Sequence, residues 1–133
     1  MKTAVVVLLI VAMKSAKAGT TIACPEALKV NATIQPPAGW EVIPPKWKSS
    51  LDGITIYSGH PKELGSLVPD ELPTKDGYDI AQWDTDDNTW LECRYTGTHY
   101  TIARKLPKGL KSCKAHYKHQ DYGLGPLERF ECK

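Results

Sequence analysis

Leu28, Val30, Ala32 and Ile34 alternate with Lys29, Asn31 and Thr33. A period of two is that of a strand with one face buried. Pro36-Pro37 closes the run, and prolines and glycines stay dense as far as Pro73. That density excludes long helices and favours short strands joined by turns. Within it, Ile54-Thr55-Ile56-Tyr57 predicts a strand, entered through Asp52-Gly53 and left through Ser58-Gly59. Residues 63–67 leave room for at most one helical turn. Beyond them lie β-rich runs at 78–83, 90–96, 99–106, 112–119 and 127–132, separated by turns at 84–88, 96–98, 107–109 and 120–126. Consecutive runs joined by such turns predict an antiparallel meander. The expected fold is mainly β, a small antiparallel sheet or sandwich in one domain.

The first residues follow another pattern. Lys2, an apolar run over 4–13 and the small-residue stretch Ala16-Lys17-Ala18 are the three parts of a secretory signal. The run is half the roughly 20 residues a membrane-spanning helix needs, so no membrane span is expected. Cleavage after Ala18 makes 1–18 a signal peptide and 19–133 the mature domain, addressed to the periplasm or, alternatively, secreted. A rival cut before Cys24, with lipid on that cysteine, fits poorly because the apolar run ends well upstream. Removal of 1–18 leaves 14 basic and 15 acidic residues, so the apparent basicity of the whole chain belongs to the signal.

Cys24, Cys93, Cys113 and Cys132 all lie in the mature part. An even count in an exported chain reads as two disulfides. A zinc site would want closer pairs, and the nearest two cysteines are 19 positions apart. If the last turn is centred between Tyr122 and Gly123, facing residues have numbers that sum to 245, as Cys113 and Cys132 do. Directly opposed cysteines satisfy the short separation a disulfide requires. In the meander, Cys93 and Cys113 fall about 10 Å apart, two strand spacings. Of the three connectivities four cysteines allow, Cys113–Cys132 with Cys24–Cys93 is favoured.

Charge is divided along the mature chain. Residues 19–92 carry twelve acidic and five basic side chains, whereas 93–120 carry seven basic ones and no acidic one. The basic hairpins either offset the acidic half within one small fold or form a face for an anionic partner. Export and the lack of a recognised binding motif argue against nucleic acid.

No constellation of catalytic residues stands out. There is no G-x-S-x-G elbow, and two disulfides would consume every thiol. His60 or His99 would serve as the base of an envelope-acting hydrolase only beside a nucleophile and an orienting carboxylate. His116 and His119, three apart on a strand, face opposite ways and cannot share a metal; both are expected at the surface. Asp84, Asp86, Asp87 and Asn88 open like a calcium loop, but Thr89 and Tyr95 stand where glycine and glutamate are required, so a turn explains them. No cofactor or metal is expected. Trp40, Trp83 and Trp90 are expected in the core or half-buried on strands. Trp47, between Lys46 and Lys48, is the tryptophan expected at the surface.

Taken together, Cys24-Pro25, Gly39-Trp40, Leu51-Asp52-Gly53, Gly59-x-Pro61-x-Glu63, Leu67-x-Pro69, Trp83, Leu106-Pro107, Cys113, Tyr117 and Cys132 form a pattern around W-L-x-C-x-Y-x-G-T at 90–98. The chain resembles a family of small uncharacterised proteins exported by Gram-negative bacteria, over nearly all of its mature length. The resemblance implies a periplasmic address. Some members accompany type VI secretion loci, where small disulfide-bonded periplasmic proteins serve as immunity partners of cell-wall toxins. The expected function is therefore a non-enzymatic periplasmic binding protein, an inhibitor or immunity protein against a cell-wall-acting enzyme. Its candidate contact residues are Arg94, Arg104, Lys105, Lys108 and Trp47. The alternatives are the envelope hydrolase and a structural envelope protein.

Overall fold

The computed structural model describes residues 19–70 and 74–133; the expected signal peptide, 1–18, lies outside the described residues. Among the described residues eight strands form two four-stranded antiparallel sheets. In chain order they are β1 (Thr20–Thr21), β2 (Ala27–Leu28), β3 (Ser49–Ser58), β4 (Tyr78–Asp84), β5 (Thr89–Tyr95), β6 (Ile102–Lys105), β7 (Ser112–Lys118) and β8 (Leu127–Cys132). Sheet 1 runs β1-β8-β7-β4 and sheet 2 runs β2-β3-β5-β6.

Alternation on each strand decides what is buried. Ile54 and Ile56 on β3 and Leu91, Cys93 and Tyr95 on β5 point inward from sheet 2. Trp83 on β4, Cys113, Ala115 and Tyr117 on β7, and Phe130 and Cys132 on β8 point inward from sheet 1. They join in one apolar core with Ile22 and Leu106, the arrangement of a sandwich. Burial raises the pKa of both Tyr95 and Tyr117, because the phenolate would be desolvated.

The mainly β fold is as expected, but the meander is not. The turn at 84–88 carries the chain from β4 in sheet 1 to β5 in sheet 2, and the loop after β6 carries it back to β7. These two crossovers lie side by side: Thr85 N donates to Lys111 O at 3.0 Å, and Gly109 N to Asp87 Oδ1 at 2.8 Å. The Asp86 carboxylate accepts from Asn88 N and from the Thr89 hydroxyl, so this acidic run serves its own turn.

Two further expectations are corrected. Of the first alternating run only Leu28 lies on a strand, the two-residue β2 (Ala27–Leu28) paired with Ser49 and Ser50. Alternation describes a strand's faces but supplies no neighbour for its N–H and C=O groups, and the proline-rich stretch that follows offers none. Asp52-Gly53 is a bulge rather than a turn, since β3 passes through it with Leu51 opposite Tyr95 and Gly53 opposite Arg94. Among the described residues the one helical turn falls at Pro61–Glu63, ahead of the 63–67 expected, with His60 as its N-cap and proline at the position that lacks a partner for its N–H anyway.

Both favoured disulfides are present. Cys113 and Cys132 face each other on β7 and β8, with Lys114–Glu131, Ala115–Phe130 and His116–Arg129 in the same register, before a shift at Tyr117. Cys24 joins Cys93 across a sequence separation of 69. Residues 22–26 pass from the β1 edge of sheet 1 to the β2 edge of sheet 2, and Tyr95 OH donates to Pro25 O at 3.0 Å beside that crossing. The disulfide also takes the sulfur that lipid attachment at Cys24 would need.

Candidate binding surface

The outer face of sheet 2 follows from its register. Side chains that alternate with the core positions form two cross-strand rows, Tyr57–Trp90–Lys105 and Thr55–Glu92–Ala103. Glu92 anchors them: Tyr57 OH donates to its Oε2 at 2.8 Å and the Thr101 hydroxyl to its Oε1 at 2.7 Å. Losing the phenolic proton would break the bond to Glu92 and set two anions side by side, which raises the Tyr57 pKa above its ordinary 10.0 although Arg94 opposes the shift. Because the folded-state value is the higher one, this contribution to stability is complete below pH 10 and is lost as pH rises further. Tyr57→Phe is expected to cost about 1 kcal/mol in urea unfolding at neutral pH, since Glu92 is half-buried and water replaces only part of the lost bond.

His60 packs against Trp90 with ring centroids 4.5 Å apart at 63°, and its Nδ1 accepts from Lys62 N at 3.2 Å. His60, Trp90, Glu92, Thr101 and Ala103 line a shallow depression of about 410 Å³. On the other face of β6, Ala23, Pro25, Leu91, Cys93 and Ile102 line a second, of about 270 Å³. β6 therefore runs between two hollows.

The candidate contacts are only partly gathered here. Arg104 and Lys105 are neighbours on β6 and point to opposite faces. Lys108 follows in the loop packed beside Asp87. Arg94 lies over Gly53, where a Cβ would come within 2.8 Å of its Nη2, and that nitrogen donates to Ile54 O at 3.3 Å. Trp47 is 84% exposed, ahead of the Ser49 end of β3. Lys105 stands in the row of Tyr57, eight residues on from Ser49, so the Ser49 end of β3, which Trp47 precedes, is roughly 25 Å from the Lys105 row along the strand direction. Among the described residues none of Arg94, Arg104, Lys105 and Lys108 forms an ion pair. The basic run itself is divided, because Lys114 and Lys118 belong to β7 in sheet 1.

Other aromatic and histidine expectations fare unevenly. Trp83 is buried and Trp90 half-buried, but Trp40 is 75% exposed, along with Ile43 and Trp47; this unpaired stretch has no second face to bury. His116 is 7% exposed rather than at the surface, because it lies mid-strand between Ile80 and Arg129. Its Nε2 meets Glu131 Oε1 at 3.1 Å, and Arg129 Nε meets the other oxygen at 3.5 Å. His119 bonds Asp79 instead, at 2.9 Å. Hydrogen bonds from Thr74 and then His119 hold the Asp79 carboxyl below its ordinary 3.8. The two histidines thus serve different carboxylates. Among the described residues neither His60 nor His99 forms a hydrogen bond or ion pair with a carboxylate, and no hydroxyl bonds His116; His60 shares its depression with Glu92 and Thr101, which bond each other instead.

The edge of β6 and the cluster at His60, Trp90 and Glu92 were not legible beforehand. Reading 107–109 as a hairpin turn placed β6 between two strands, where it would have no free edge.

Residues 45–133 match the family described as type VI secretion system Tli immunity protein. An uncharacterised 16.3 kDa protein from the trpG 5′ region of Azospirillum brasilense is 32% identical over 117 residues, covering 80% of this chain and 78% of that one. No solved structure matches.

Proposed function

Since the chain belongs to the type VI secretion system Tli immunity protein family, we propose that it is exported to the periplasm by cleavage after Ala18 and there silences, by binding, a type VI toxin that acts in the envelope. The cell wall is the toxin substrate that the family resemblance implies. The protein itself is non-enzymatic. The observation that carries this reading is the family match over β3 to β8, which takes in three strands of each sheet and the β6 edge. Two disulfides suit an oxidising compartment, and no helix among the described residues is long and apolar enough to cross a membrane. Arg104, Lys105 and Lys108 are the principal contacts, with Arg94 and Trp47 at the margin; unpaired cations of this kind steer an acidic partner and raise its rate of association.

The reading expects the toxin to be encoded beside this chain, and the test is protection of a bacterial host that makes that toxin, directed to the periplasm. The full chain should restore growth and a version lacking 1–18 should not. Protection by the truncated version, or none by the full chain, contradicts the reading. With purified proteins, Arg104→Ala/Lys105→Ala/Lys108→Ala should weaken the complex by about tenfold at low salt and less at high salt. An unchanged affinity removes the charge argument.

A further inference from the structure

The inference that follows rests on the toxin-binding reading and deepens it. We propose that β6 is a strand-addition edge, and that the toxin completes sheet 2 with an extended segment of alternating small apolar and acidic side chains.

The backbone supplies the first argument. β6 pairs with β5 in the register Trp90–Lys105, Leu91–Arg104, Glu92–Ala103 and Cys93–Ile102, and Leu106 N donates to Thr89 O at 2.9 Å. Antiparallel ladders alternate bonded and non-bonded pairs. Residues 102, 104 and 106 therefore turn their backbone groups towards β5, and Ala103 and Lys105 turn theirs outward. Among the described residues nothing pairs with that outer side. The other long edges are each bonded at one point or more by the 65–70 segment: Asp70 N bonds Gln82 O on β4, and Leu67 N bonds Ile56 O and Ser58 N bonds Gly65 O on β3.

Space is the second argument. A strand laid against an edge sends successive side chains to opposite faces of the sheet, so it needs room on both. β6 has a hollow on each face, and Ala103, small and exposed, borders both. The inner hollow, floored by Pro25, Leu91 and Ile102, suits small apolar side chains. In the outer one both oxygens of the Glu92 carboxylate are already engaged by the Tyr57 and Thr101 hydroxyls, and the cations beside it, Lys62 at the rim and Lys105 two residues on from Ala103 along the same face, suit acidic side chains placed at its edge.

Charge selects the occupant. Two copies of this chain paired edge to edge would gather the Arg104 and Lys105 of both at one seam, and exposed cations on an edge are a common guard against such pairing. An acidic strand instead meets opposite charge at facing and diagonal positions. Strand addition of this kind draws affinity from main-chain bonds and specificity from alternate side-chain sites.

The experiment measures amide hydrogen exchange at Ala103 and Lys105 in the full mature chain, alone and bound to the purified toxin encoded beside it. Both amides should exchange freely in the isolated chain and become protected in the complex. Ala103→Pro removes an N–H that this fold does not use, at an edge position where proline is tolerated. It should leave the unfolding midpoint unchanged yet weaken binding at least about tenfold, whereas Ala103→Val, which keeps the N–H, should bind within about threefold of the unmodified chain. A complex in which both amides remain open, or one that Ala103→Pro forms as tightly, overturns strand addition and leaves the toxin reading standing. Protection that rises with the concentration of the chain alone assigns the edge to a second copy and overturns the partner. Absence of any complex overturns the toxin reading and this inference with it.

Discussion

Replacing Cys24 and Cys93 together by serine is expected to lower the free energy of unfolding by about 4 kcal/mol, the chain-entropy value for a loop of this length. The bond closes a sequence separation of 69, against 19 for Cys113–Cys132, for which the same relation gives about 3 kcal/mol. Its position adds weight. Cys93 is buried on a central strand of sheet 2, and Cys24 lies on the segment that joins the β1 edge of one sheet to the β2 edge of the other. Without the bond, that segment keeps Ile22 N to Phe130 O at 3.0 Å, the Tyr95–Pro25 contact and the short ladders of β1 and β2. These hold it only while the sheets are already assembled. For a domain whose total stability is about 5–15 kcal/mol, the double variant should melt about 15–20 °C lower. A shift under about 5 °C would mean that the N-terminal segment is held chiefly by its hydrogen bonds and apolar contacts.

Trp83→Ala is expected to cost about 3–5 kcal/mol in urea unfolding. Trp83 is 5% exposed and packs edge-on to Phe130 at 6.5 Å, and its Nε1 donates to Leu67 O at 3.2 Å. Truncation empties part of the space between the sheets and strands a carbonyl on the segment that runs from the edge of β3 to that of β4. Trp83→Phe refills most of the volume but not the bond, and should recover roughly half of the loss. A cost below about 1.5 kcal/mol for Trp83→Ala would contradict the placement of β4 with its inner face against sheet 2. That placement is where the structure departs from a meander, which makes the variant a test of topology as well as of packing.

The departure has a local cause. A hairpin and a crossover between sheets use the same turn chemistry, and Asp84 to Asn88 satisfies either. Which one forms depends on where the inward faces of β4 and β5 find apolar partners, and those partners, Phe130 and Ile56 among them, lie far away in sequence. Register within a true hairpin is more local. Alternation and a turn centre sufficed to oppose Cys113 and Cys132, and the structure keeps that register until the shift at Tyr117. Cys24–Cys93 was reached by exclusion from a meander that does not exist, yet the exclusion survives, because Cys93 and Cys113 lie in different sheets.

The candidate surface was legible in its charges and not in its shape. Arg104, Lys105 and Lys108 could be singled out as a basic cluster, but their value depends on β6 being an edge, a property of topology. Arg94, adjacent to them by composition, is committed to Ile54 O across Gly53. Trp47 was correctly expected at the surface, whereas Trp40 was not, because a tryptophan in a stretch with no ladder has no buried side to occupy.

The most direct measurement is a titration, with the purified, oxidised mature protein, of the toxin that the proposed reading expects a neighbouring gene to encode, following the toxin's enzymatic activity. Loss of activity in proportion to added protein, complete near one equivalent and reversed when the complex is separated, is the predicted result. Toxin that retains its full activity in excess protein would contradict the account.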